Sequence, residues 1–256
     1  MSSPTTFDLN NSFKSFLKDP EWPLKTTIGG FVNYMSLGIF IFNPALTPIC
    51  FILSALSTGY LLRSLRMSAS GELDKLPGWN DWMDLTISGL SWLSIAAGFF
   101  FFAMSVLAIS LITGAGFDLS NVSKPNFLIW AESTFLFLFF LSFAQNFFLA
   151  VLMANFAQEE RMAAGFAWRK VLRRISRAPL ELGTVWLAGS TLTMVALIVP
   201  TISVIGALFT PFCFFLAQII STRMIGQTWA YLDQLEQSGN KSNQSKSDAK
   251  NSTVAT

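Results

Sequence analysis

Histidine is absent from the 256-residue chain. With it go Ser-His-Asp and Cys-His nucleophile pairs, His-ligated zinc, bis-His haem and histidine proton relays. Cysteine is nearly absent too. Cys50 and Cys213 stand alone in apolar runs, without CxxC or metal-ligand spacing, and read as small buried hydrophobes. Charge is equally scarce: Asp, Glu, Lys and Arg make up 12% of the chain, where soluble domains average about 25%. In their place 52% of residues are hydrophobic, with 26 Phe and 8 Trp. Such a chain lacks the polar groups to cover a compact surface, which excludes a soluble globule, and its aromatic content excludes disorder. A net charge of +2 is no footprint for nucleic acid, and no nucleic-acid partner is expected. No cofactor, metal site or catalytic constellation is expected either, so the chain reads as non-enzymatic.

What the sequence does have is long uncharged runs. Residues 26–62, 85–117, 133–158 and 182–222 carry no charged side chain, and about 20 apolar residues suffice for one membrane helix. The first and last runs are too long for one helix. Asn43-Pro44 and Pro48 break the first near its middle and Pro200 breaks the last, so each reads as a helical hairpin. Six helices are expected, at about 25–42, 45–62, 87–113, 127–154, 181–199 and 201–225. The fold class is therefore all-α, an integral membrane bundle of about six transmembrane helices with interfacial amphipathic helices on the cytoplasmic side. Three regions follow: an N-terminal amphipathic interfacial segment over 1–24, a polytopic membrane domain over 25–235, and a disordered polar tail over 236–256.

Six spans place the N-terminus, the 63–86 and 155–180 loops and the C-terminus on one side. Every Lys and Arg except Lys124 falls there, and the positive-inside rule makes that side the cytoplasm. Residues 1–24 have no apolar core of signal-peptide type, so no cleaved leader is expected. Hairpins that re-enter without crossing would leave the same charge pattern. Spanning hairpins are favoured because re-entrant backbone must be shielded by protein.

Four segments outside the spans carry the chain's character. In residues 8–18, Leu9, Phe13, Phe16 and Leu17 share a helical face and Asn10, Asn11, Lys14 and Lys18 lie away from it, with Asp8 as N-cap. This helix lies in the interface or packs on the protein's own loops. Between 59 and 90, Pro77-Gly78 makes a turn, Asn80 caps a helix whose first turn carries Asp81 and Asp84, and Trp79 and Trp82 are placed as headgroup-level anchors. The stretch is an elbow between spans or a docking surface formed with Arg63 and Arg66. Over 161–179, Trp168, Val171, Leu172 and Ile175 form an apolar stripe, and Arg169, Lys170, Arg173, Arg174 and Arg177 a basic face. That face fixes topology or binds anionic headgroups. The tail after Glu236 is rich in Ser, Asn and Lys.

The elbow residues also carry a resemblance. Gly59-Tyr60-Leu61, Arg63, Arg66, Gly71-Glu72, Leu76-Pro77, Trp79, Asp81 and Trp82, with Asp19-Pro20-Glu21-Trp22 ahead of them, resemble an uncharacterised family of prokaryotic multi-pass membrane proteins, domain of unknown function 4013. Ala164 to Arg169 is similar to a second family element, shifted by Gly165. The likeness covers roughly residues 15–230 in layout and is specific over 59–90. It implies a multi-pass architecture in a prokaryotic cytoplasmic or other cytoplasm-bounded membrane, and it brings no family chemistry with it.

Within the spans Glu132 is the one strong ionisable candidate, and with Ser142 and Asn146 it forms a weak polar stripe that Gln218 could partner. Interhelical hydrogen bonding and a solute path are the two readings of that stripe. The expected function is to organise a membrane-protein partner, a second copy or anionic lipid headgroups at the cytoplasmic face. Alternatives are a small transporter or channel built on the Pro-broken hairpins and, more weakly, a membrane enzyme using Asp81 and Asp84 on lipid headgroups.

Overall fold

The computed structural model describes the backbone of residues 9–115 and 125–254 and the side chains of residues 13–109 and 135–236. Asp8, Lys124, the side chains of Leu9, Asn10 and Asn11, and that of Glu132 lie outside the described residues. Among the described residues all regular structure is helical: α1 Leu9–Leu17, α2 Trp22–Phe42, α3 Thr47–Ala69, α4 Trp82–Ala115, α5 Pro125–Glu159, α6 Trp168–Arg177, α7 Pro179–Thr201 and α8 Val204–Val254. Short 3-10 turns, Pro44–Leu46 and Met162–Phe166, precede α3 and α6.

Local chemistry sets most of the boundaries. Pro44 forces Asn43 out of the helical region (φ −148°, ψ 89°), and the Asn43 side chain then accepts the Ala45 N–H at 3.2 Å. The α2–α3 hairpin turns there. α3 ends on Gly71, whose left-handed φ of 89° lets the Gly71 and Glu72 N–H groups close on the Ser68 and Met67 carbonyls. The Gly-Glu pair of the sequence is thus a helix C-cap. Ala178, outside the helical region before Pro179 (φ −141°, ψ 59°), separates α6 from α7. The second hairpin turns slightly later than expected. Pro200 is accommodated in the last turn of α7, and Ser203 makes the break by accepting the Gly206 N–H at 2.9 Å as a cap for α8.

Among the described residues, five helices are long and apolar enough to cross a membrane: Pro44–Ala69, Trp82–Ile109, Phe135–Glu159, Pro179–Thr201 and Val204–Glu236. The sixth long helix, α2, falls short because Lys25, Thr26, Thr27, Asn33 and Tyr34 dilute its apolar residues. A second difference lies at the C-terminus. The backbone of α8 stays helical to Val254 where a disordered tail was expected, and no proline follows Pro211 to interrupt it.

α3 packs against α2, α4, α5 and α8, and glycines bring the backbones together. A Cβ on Gly59 would lie 1.8 Å from the Leu85 carbonyl oxygen, one on Gly89 1.8 Å from that of Ala55, and one on Gly226 2.5 Å from that of Leu65. The buried core lies toward the end of the bundle that carries the 70s loop. Tyr60, Trp79, Leu85 and Phe215 form one cluster, and Leu65, Trp92, Leu152, Val171 and Trp229 another. The opposite halves of α4 and α5 present Phe101, Phe102, Phe135 and Phe140 outward, as lipid-facing helices do.

Candidate functional site

Among the described residues, one end of the bundle collects the charges. Asp19, between α1 and α2, is buried and accepts the Leu76 N–H at 2.7 Å, the Glu21 N–H at 2.8 Å and the Lys25 ammonium at 2.9 Å. Burial pushes its carboxyl up, but the Lys25 ammonium and the Leu76 and Glu21 N–H groups outweigh that and hold it below its ordinary value. Lys25 also donates to the Leu76 carbonyl, and Trp79 Nε1 to the Lys25 carbonyl at 3.1 Å. The Trp79 ring stacks on Tyr60 at 4.2 Å. Arg223, fully buried on α8, donates to the Lys75 and Leu73 carbonyls. The loop after α3 is therefore strapped down by α2, α3 and α8 together.

The arginines of the elbow serve as straps as well. Arg63 reaches Asp81 at 3.0 Å and Asp84 at 3.9 Å, so both carboxylates face a cation rather than an open metal site. Arg66 donates to the Ala157 carbonyl at 2.9 Å and pairs with Glu160 at 2.5 Å, where α5 ends on a left-handed φ of 53°. Trp82 is exposed and free to sit at headgroup level, whereas Trp79 is only 6% exposed because its ring fills the space over Tyr60.

α6 divides its cations in two. Arg174, 7% exposed, lies 4.2 Å over the Trp229 ring and pairs with Asp233 at 2.5 Å and Glu236 at 3.5 Å. Arg177 pairs with Glu236 at 2.8 Å, and Lys170 with Glu159. Arg169 and Arg173 are exposed and make no ion pair among the described residues, although the Arg169 guanidinium lies 5.3 Å from the Trp168 ring. Val171 is buried and Ile175 half-buried, whereas Trp168 and Leu172 are about half exposed beside Arg169 and Arg173. The helix thus buries the Val171–Arg174–Ile175–Ala178 side and presents tryptophan, leucine and two arginines outward.

Sequence reasoning missed the acids that claim the other cations. Asp233 and Glu236, three apart on α8, were the available signal. It also missed Gln158, which accepts the Trp229 indole N–H at 2.5 Å and donates to Asp233 at 2.8 Å, and Asn155, which is buried and holds the Ala164 carbonyl at 2.9 Å. The intramembrane stripe is less organised. Ser142 and Asn146 lie on an exposed face, and Asn146 folds back to donate to the Ser142 carbonyl at 2.9 Å. Gln218 is half-buried on α8, and the side chain of Glu132 lies outside the described residues. At the opposite end of the bundle the two hairpins flank a cleft of about 790 Å³ whose walls include Asn33, Gly38, Phe40, Cys50, Thr210 and Phe214.

The chain matches a family model described as a protein of unknown function, DUF4013, over residues 44–210. No curated protein and no solved structure matches it.

Proposed function

Because the chain belongs to the DUF4013 family, which is defined without an activity, we propose its function from geometry: it is a six-span, non-enzymatic membrane protein with both termini in the cytoplasm, and its basic end holds anionic lipid headgroups. One observation carries this reading. Of the five cations on α6, three are neutralised by acids of α5 and α8, while Arg169 and Arg173 stay exposed beside Trp168 and Leu172. A tryptophan and a leucine to enter the interface and two guanidiniums to meet phosphate are what an anionic membrane surface takes.

The count of six rests on α2. Its 21 residues rise about 31 Å at 1.5 Å per residue, close to the ~30 Å hydrocarbon core. It starts beside the 70s loop, where Lys25 meets Leu76, and ends at the Asn43 turn, which supports a crossing. The cytoplasmic assignment is supported by the placement of every cation but Lys124.

The test is the lipid that stays with the purified protein. In mild detergent, the ratio of phosphatidylglycerol to phosphatidylethanolamine retained falls about fivefold for each of Arg169→Gln and Arg173→Gln, at about 1 kcal/mol per cation near an anionic surface. Arg177→Gln, whose cation already has an acid, leaves the ratio nearly unchanged. An unaltered ratio in the double variant R169Q/R173Q refutes the reading.

A further inference from the structure

Beneath the 70s loop a cation is buried without a counter-ion. Arg223 is 1% exposed and makes no ion pair among the described residues. Its two terminal nitrogens donate to the Lys75 and Leu73 carbonyls, while its Nε is buried with no acceptor. Asp19 and Asp74 are near enough to feel the charge, but Lys25 and two backbone N–H groups claim the first and Lys18 the second. A charge taken out of water without a partner is costly.

Two hydroxyls at the same helix crossing are orphaned as well. Tyr60 Oη and Ser64 Oγ on α3 are fully buried and have no hydrogen-bond partner among the described residues. Tyr60, Ser64 and Ser68 follow at four-residue intervals and share a face of α3. A Cβ on Gly226 of α8 would lie 2.8 Å from the Ser68 Cβ, so that face meets α8. Both helices run toward the 70s loop, and one turn back from this contact Ser64 is level with Arg223. Tyr60 and Arg223 are within electrostatic reach of each other. On α2, Thr26 Oγ1 is a further buried hydroxyl without a partner, one turn from Gly29 and Gly30, which rest on Phe215 and Phe212 of α8.

Each orphan is an N–H or O–H that can donate, and no carboxylate beside them is unclaimed. A water would complete their hydrogen bonds but leave the Arg223 charge uncompensated. A phosphate would bring a second charge and more oxygens than these groups can meet. We propose that the α3–α8 crossing binds a monatomic anion, chloride in the cell, held by Arg223 Nε and the Tyr60 and Ser64 hydroxyls. Through the two carbonyls that Arg223 holds, the bound ion would lock the 70s loop.

Equilibrium dialysis of the full chain in mild detergent against radiolabelled chloride, with gluconate holding the ionic strength constant, tests the site. Chloride binds saturably and bromide displaces it. The thermal midpoint in chloride exceeds that in gluconate by about 2–4 °C, as a ligand bound only by the folded state requires. Tyr60→Phe and Ser64→Ala leave Arg223 and its loop bonds in place, and each weakens chloride binding about tenfold, the loss of one hydrogen bond to an ion. Ser94→Ala removes a hydroxyl of α4 that already bonds to the Leu90 carbonyl, and it leaves binding unchanged. Absence of saturable chloride binding means that water alone completes these donors and overturns the proposal. Equal affinity in wild type, Tyr60→Phe and Ser64→Ala places the ion on surface cations and overturns it too.

Discussion

Asp19 takes three hydrogen bonds from groups as far away as Leu76, and its side chain is 4% exposed. Replacing it with Asn removes the charge that draws Lys25 and weakens two backbone contacts, a loss of about 1–3 kcal/mol for a buried charged hydrogen-bonding group. The thermal midpoint of Asp19→Asn in detergent therefore falls below wild type at neutral pH. Because the folded carboxyl is held below its ordinary value of 3.8, its contribution is complete above 3.8 and is lost as pH falls through the lower folded value. The gap between wild type and Asp19→Asn consequently closes on acidification below 3.8. A gap independent of pH would show that Asp19 acts by shape alone. None of this network was legible in advance. The Asp-Pro-Glu-Trp run could be seen, but its partner Leu76 lies 57 residues away, and Arg223 reaches a loop 148 residues away. Sequence periodicity has no access to such pairings. The same holds for Trp79 and Arg174, whose types suit an interface and whose neighbours, Tyr60 and Trp229 with Asp233, take them inside.

At the scale of elements, helices and turns were largely readable because their causes are local. Asn43-Pro44 fixes one hairpin by forbidding helical geometry before proline, and Gly71-Glu72 ends α3 by supplying a left-handed residue. The second hairpin was misplaced by a few residues because proline is tolerated in the last turn of a helix while a serine cap decides where the next begins. On α6 the period was right and the burial was not. Five cations look equivalent on a helical wheel until α5 and α8 bring their acids to three of them. Packing between α3 and α4 makes a sharper prediction. A Cβ at Gly59 or Gly89 would collide with a backbone oxygen, not with the tip of a flexible side chain. Gly59→Ala and Gly89→Ala each lower stability by about 1–3 kcal/mol through overpacking, and thermal unfolding in detergent measures it. Gly98→Ala, which meets nothing, leaves the midpoint unchanged or raises it slightly.

For the whole molecule, the distribution of charge and the packing of helices agree on one polarity. Lys18, Lys25, Arg63, Arg66, Lys170, Arg174, Arg177 and Arg223 are all bonded at the end that carries the 70s loop and α6, and the hairpin turns at Asn43 and Ser203 lie at the other. On the proposed reading this polarity is a membrane topology, with the basic end in the cytoplasm and α2 as the sixth crossing. Single cysteines in a chain with Cys50→Ala and Cys213→Ala, probed with a membrane-impermeant maleimide in intact cells and in inverted vesicles, test it most directly. Ser70→Cys and Ser176→Cys are predicted to react only in inverted vesicles, and Ala45→Cys and Ser203→Cys only in intact cells. Reaction of Ala45→Cys in inverted vesicles, together with Ser70→Cys, would mean that α2 and α3 re-enter without crossing and would refute the six-span topology.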